Sequence, residues 1–108
     1  MCIRDRDNII NLVAEAKALN SKIISLPRIL ILSALEELGE DGSSYRELKA
    51  GLDLEDGILF SNLNALEEMR YIVTKDVTLE KKKMTSYSIT AEGKEALQAL
   101  CSWFKRID

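Results

Sequence analysis

Apolar residues recur at Ile9, Leu12, Val13, Ala16 and Leu19, the i, i+3, i+4, i+7 spacing that lines one face of a helix over residues 7–20. Asp7 and Asn8 offer the short polar side chains that cap helix N-termini. A second helical period runs through Ile29, Leu30, Leu32, Leu35 and Leu38. It opens at Ser25-Leu26-Pro27, where a proline in the first turn loses nothing by lacking an N–H, and it closes at Gly39. Ser44 followed three residues later by Glu47 is a capping box, which predicts a short third helix over 45–51 that buries Leu48 and Tyr45. After the tight turn Gly51-Leu52-Asp53-Leu54, a fourth helix is expected over 55–69, with Ile58 or Leu59, Leu63, Leu66 and Met69 facing inward. The period then shortens. Residues 71–77 and 85–90 are rich in β-formers and read as two strands, joined by the charged connection 78–84. Thr90 caps a last helix, 91–107, with Ala96, Leu97, Leu100, Cys101 and Phe104 on one face.

Two helices joined by a turn of about four residues containing glycine form a helix-turn-helix. Residues 25–90 therefore read helix-helix-helix-strand-strand, a winged helix-turn-helix core. An N-terminal helical segment (7–24) and a C-terminal helix (91–108) flank it, so the fold class is mainly α with a small β-hairpin. With 108 residues, the chain has material for one hydrophobic core and one domain. The opening Met-Cys-Ile-Arg-Asp-Arg, residues 1–6, reads as a non-native leader and is assigned no role.

Composition removes several classes of chemistry. The chain has no histidine, which excludes His-based acid–base catalysis, Ser-His or Cys-His nucleophiles and His-containing zinc sites. No CxxC, GxGxxG or P-loop occurs, and the paired acids Glu36-Glu37 and Glu67-Glu68 sit in helical surface patterns. The expectation is a non-enzyme without metal or cofactor. No apolar run approaches the roughly 18 residues a membrane span needs. Setting Cys2 aside with the leader leaves Cys101 alone, which argues against an internal disulfide and for a reducing cytoplasm. On the apolar face of its helix, Cys101 reads as an inert packed thiol, with a redox switch as the alternative.

Residues 25–95 resemble the winged-helix DNA-binding domains of the MarR and ArsR groups of bacterial or archaeal regulators. The resemblance rests on Leu26-Pro-Arg-Ile-Leu-Ile-Leu32, Tyr45-Arg-Glu-Leu-Lys49, Leu54-Glu-Asp-Gly-Ile-Leu59 and Leu63-Asn-Ala-Leu-Glu67. It continues through Tyr71-Ile-Val73 and Thr85-Ser-Tyr-Ser-Ile-Thr-Ala-Glu-Gly93, with no gap needed from Leu54 to Gly93. It implies a transcriptional regulator whose helix 55–69 enters the major groove of double-stranded DNA and whose wing 78–84 lies on the backbone. On that basis Ser61, Asn62 and Asn64 are candidate base or phosphate contacts, asparagine being able to pair bidentately with adenine. Lys81, Lys82, Lys83 and Thr85 are the candidate wing contacts to phosphate. Ser44 and Tyr45 could offer hydroxyls and N–H groups to a phosphate at a helix start. The bland alternatives are exposed helix polars, a helix cap, and a lysine triplet that only solubilises a hairpin.

The chain departs from the pattern in charge. Its net charge is −3, and the segment 53–70 sets Asp53, Glu55, Asp56, Glu67 and Glu68 against Arg70. Phe60 stands where a small polar residue is usual, and Glu80 replaces the wing's usual glycine, which predicts a looser turn. The outer helices carry more apolar surface than a monomer needs. Ile9, Ile10, Val13, Leu97, Leu100, Trp103 and Phe104 are therefore candidates for a homodimer interface, which would set two recognition helices roughly 34 Å apart. The alternative is a winged helix used for protein–protein contact, favoured by Phe60 and the acidic segment. A small-molecule effector would have room between the outer helices and the winged core.

Overall fold

The computed structural model describes residues 6–19 and 21–107; residues 1–5 of the expected leader and Asn20 lie outside them. Five helices and three strands follow in the order α1 (Arg6–Ala18), α2 (Leu26–Leu38), β1 (Ser43–Ser44), α3 (Tyr45–Leu52), α4 (Asp56–Glu68), β2 (Ile72–Leu79), β3 (Lys82–Ile89) and α5 (Ala91–Ile107). Single 3-10 turns occupy Ser21–Ile23 and Gly39–Asp41. Because α1 already begins at Arg6, Asp7 and Asn8 are inside its first turn rather than at its cap.

The inner ends of the elements meet in one core of Ile23, Ile31, Leu32, Leu35, Leu48, Leu59, Leu63, Leu66, Ile72, Ile89, Leu97 and Leu100. Helix α2 lies at its centre, packing against α4, α5 and β3. Its start is held as the sequence requires: Ser25 Oγ accepts the N–H of Arg28, with Pro27 in the first turn. The apolar period of α2 outruns the core, and Leu38, expected inside, is 46% exposed. On α4 the choice between Ile58 and Leu59 falls to Leu59, which is fully buried, while Ile58 is exposed.

The helix-turn-helix bend is made by Asp53. Gly51 stays within α3, and Asp53 takes the left-handed conformation (φ 53°), its N–H bonding the Lys49 carbonyl at 3.0 Å. Aspartate tolerates that region better than most side chains.

The wing is longer and tighter than expected. β2 and β3 run eight residues each and pair in antiparallel register from Ile72↔Ile89 to Leu79↔Lys82. Only Glu80 and Lys81 remain as the turn, at φ 51° and 69°. Positive φ at both central residues matches the right-handed twist of a hairpin, so a two-residue turn closes without glycine. Lys82 and Lys83 consequently belong to a strand rather than to a tip. The sheet also has a third strand that sequence pattern missed: β1 pairs with β3 (Ser43↔Tyr87, Ser44↔Ser86), giving the order β1-β3-β2. Gly42 makes this approach feasible, since a Cβ there would lie 2.4 Å from the Tyr87 carbonyl oxygen.

The base of α5 is knotted to the end of α4. Thr90 Oγ1 donates to the Arg70 carbonyl at 2.7 Å and accepts the Gly93 N–H at 3.0 Å, while the Thr90 N–H bonds the Tyr71 carbonyl at 2.9 Å. Further along, α5 packs against α1. The Trp103 indole N–H donates to the Leu12 carbonyl at 2.9 Å, and Arg106 pairs with Glu15.

Candidate nucleic-acid interface

Leu59, Leu63 and Leu66 hold one side of α4 against the core. At 3.6 residues per turn, the opposite side carries Gly57, Ser61, Asn64 and Glu68, all exposed. Ser61 and Asn64 are therefore presented outward on the helix expected to meet DNA. The Ser61 hydroxyl reaches back to the Ile58 carbonyl at 3.4 Å, a long bond that gives way readily to a better acceptor.

Asn62 is placed differently. It lies on the flank of α4 that faces α2, and both ends of its amide are engaged. Nδ2 donates to the Ile58 carbonyl at 2.7 Å, and Oδ1 accepts from Arg28 Nε at 2.8 Å. One Nδ2 hydrogen and one Oδ1 lone pair are spent in these bonds, which hold the amide toward α2, unlike the outward Ser61 and Asn64. It serves as a bridge to α2. Arg28, which the sequence pattern did not single out as a site residue, also donates from Nη1 to the Lys22 carbonyl at 2.5 Å.

The two candidates at the start of α3 are also otherwise occupied. Ser44 is buried; its Oγ accepts the Glu47 N–H at 3.2 Å and its own backbone N–H donates to Glu47 Oε1 at 3.4 Å, completing the capping box. Its hydroxyl serves as the helix cap. The Tyr45 hydroxyl donates to Asp56 Oδ1 at 3.0 Å, and Lys49 Nζ lies 2.9 Å from Oδ2 of the same carboxylate. Asp56 thereby ties α3 to the first turn of α4, where its charge also suits the helix dipole. The bonds from Lys49 and Tyr45 hold its carboxyl below the ordinary carboxylate range. Desolvation and the Asp56 bond push the Tyr45 phenol up, and desolvation with the nearby Glu67 charge raises Tyr87. The acidity of this segment is thus partly structural, since Asp56 braces the helix-turn-helix.

The wing lysines do not act as one cluster. Side chains alternate along a strand, so Lys83 shares a face with Thr85 and Tyr87, whereas Lys82 points to the other face with Met84. Lys81 sits in the turn. Lys81, Lys82, Lys83 and Thr85 are all exposed. Tyr87 is near both Tyr45 and Glu67, which shows that the Lys83 face looks toward α3 and α4.

The candidate dimer residues divide. Ile9, Ile10, Val13 and Phe104 are exposed at 45–58%, and Trp103 is half-buried against α1 with its ring edge-to-face on Phe104. Leu97 and Leu100 are 3% and 1% exposed and belong to the protomer's own core, so they are corrected as interface residues. Cys101, expected to be packed, is exposed, one step round the helix from the buried Leu100. Between α1 and α5 two open grooves of about 360 and 260 Å³ share Ala18, Leu19 and Ala99 in their walls; one adds Tyr71, Glu92 and Glu95, the other Trp103 and Arg106. Among the described residues no helix is long and apolar enough to cross a membrane, and no three metal-ligating side chains converge.

Three solved structures share this architecture. The DNA complex of MepR from Staphylococcus aureus superposes with a TM-score of 0.69 at 16% identity, over 94% of this chain and 76% of that one. A PadR-like transcription factor from Bacteroides fragilis gives 0.63 at 16% identity, over 94% and 92%. TA0346 from Thermoplasma acidophilum gives 0.56 at 27% identity, over 77% and 90%. No curated protein sequence matches the chain. A family model described as a winged helix DNA-binding domain matches residues 28–107, and with most of its length inside that match the chain belongs to the winged helix DNA-binding domain family.

Proposed function

We propose that this protein is a cytoplasmic DNA-binding transcriptional regulator that works as a homodimer, with α4 in the major groove and the β2–β3 wing on the flanking backbone. The observation that carries the reading is the outward side of α4. It is free of core duty, presents Ser61 and Asn64, and is bordered by a wing with Lys81, Lys83 and Thr85 exposed. That MepR, which shares the fold, has been solved with DNA supports the same use of the surface here. The exposed Ile9, Ile10, Val13 and Phe104 supply apolar area for a two-fold contact through the outer helices, leaving α4 free. The grooves between α1 and α5 give a small-molecule effector a place to act on that contact.

A second reading, a winged helix used for protein–protein contact, is favoured by Phe60, which is 59% exposed on α4. Electrophoretic mobility shift on DNA from upstream of the protein's own gene, across a salt series, separates the two. A specific shift whose affinity falls steeply with salt is expected of phosphate-binding lysines. No shift at low salt would exclude the first reading in favour of the second.

A further inference from the structure

Resting on the DNA-binding reading above, we propose that Arg28 is a phosphate-contacting residue, a cation lent by α2 to the rim of the recognition helix, and that Asn62 is its positioning residue. A major groove about 12 Å wide closes around an inserted helix, so the flanks of that helix meet the two phosphate walls. The flank of α4 toward α3 carries Asp56 and Glu67, and the nearby cation Lys49 is spent on Asp56. The flank toward α2 carries Ile58, Asn62 and Ala65, with no charge of its own. Arg28 is the charged group that reaches this flank.

Its geometry is set for the task. The guanidinium has five N–H donors, and two are used: Nε on Asn62 Oδ1 and Nη1 on the Lys22 carbonyl. Those two bonds hold the planar group from opposite sides and orient it. Nη2 and the second Nη1 hydrogen make no bond to the described residues, and Arg28 is only half-buried. The grip is itself secured, because the bond from Asn62 Nδ2 to the Ile58 carbonyl fixes which amide atom faces Arg28. An arginine oriented in advance loses less side-chain entropy on binding a phosphate than a free lysine would.

The test is a salt series of DNA affinity for wild type, Arg28→Gln, Arg28→Lys and Asn62→Ala, each checked for wild-type helicity by circular dichroism. Loss of one phosphate contact predicts that Arg28→Gln lowers the slope of log K against log salt by about one. Its affinity should fall roughly tenfold, by the same factor on cognate and unrelated DNA. Arg28→Lys should keep the wild-type slope, which a purely structural role for the guanidinium does not predict. Asn62→Ala should also keep the slope while weakening binding several-fold, and Arg28→Gln should cost less in that background. If Arg28→Gln fails to fold, the Lys variant decides, a lost slope overturning the proposal. Wild-type binding with Arg28→Gln unchanged in slope and affinity overturns this inference alone, whereas absence of wild-type binding overturns the DNA-binding reading and this inference with it.

Discussion

Replacing Gly93 by alanine tests how α5 is seated on the winged core. In a helix, alanine is favoured over glycine by up to about 1 kcal/mol, so on local grounds the change stabilises. Here the new methyl would lie 2.3 Å from the Tyr71 carbonyl oxygen and 2.8 Å from Ile89 Cγ1. The oxygen is not free to retreat, because it accepts the Thr90 N–H at 2.9 Å. Overpacking of this kind costs about 1–3 kcal/mol, and stretching or losing the hydrogen bond about 1–3 more. The clash wins, with an expected net destabilisation of about 1–5 kcal/mol. Gly51→Ala is the matched control: it is also helical, and a methyl there meets nothing within 4 Å. It should stabilise by about 0.5–1 kcal/mol. Urea unfolding followed by far-ultraviolet circular dichroism reads both as shifts of midpoint at constant slope. Protein concentration is held equal, since self-association adds to apparent stability. A Gly93→Ala midpoint at or above wild type would refute the close seating of α5 on Tyr71.

Three further outcomes follow from the site. Lys83→Ala should weaken DNA binding more than Lys82→Ala in the same salt series, because only Lys83 shares the wing face that looks toward α3 and α4; equal losses would contradict that assignment. The carboxyl of Asp56 is held low by Lys49 and Tyr45, so the stability it contributes is present above its ordinary value, near pH 4, and lost as pH falls through the folded value. Asp56→Asn should therefore be less stable than wild type at neutral pH, with the difference shrinking in acid, as read by urea midpoints at pH 3 and pH 7. Val13→Asp, 48% exposed on α1, should shift sedimentation velocity from dimer toward monomer while leaving the circular dichroism spectrum intact.

Most of the fold was legible because its signals are local. Ser25 with Pro27 and Ser44 with Glu47 announce two helix starts within three residues, and the structure uses both. The misreadings have physical causes. A lysine triplet has poor strand propensity, so the pattern ended the hairpin at Val77 and resumed it at Thr85; cross-strand pairing overrides that preference and carries both strands to Leu79 and Lys82. The two residues of β1 are too short for any periodicity, and they form a strand only because Gly42 lets them reach β3. The helical period places Leu38 and Cys101 inside because it marks an apolar face but shows neither where the core stops along a helix, as at Leu38, nor how wide the buried stripe is, as at Cys101. Within the site, Ser61, Asn64 and the lysines needed only their element, whereas Asn62 needed a partner 34 residues away. No spacing rule reveals that partner, and so Arg28 went unmarked.

The knot at Thr90 has a geometric consequence for any two-fold assembly. α5 has 17 residues and is about 25 Å long at 1.5 Å rise per residue, with one end pinned to Arg70 and Tyr71 in the connection from α4 to β2. Trp103 and Phe104, beside the exposed stretch of α1, are near the other end. A tilt of about 10° at the pinned end displaces the far end by about 4 Å on that lever length. In a dimer joined at the far ends, the same tilt instead swings the two winged cores relative to each other. The distance between the two α4 helices, and with it the DNA half-site spacing that can be bridged, then depends on the angle at which α5 leaves the core, set by Thr90 at its start and by Leu97 and Leu100 along its length.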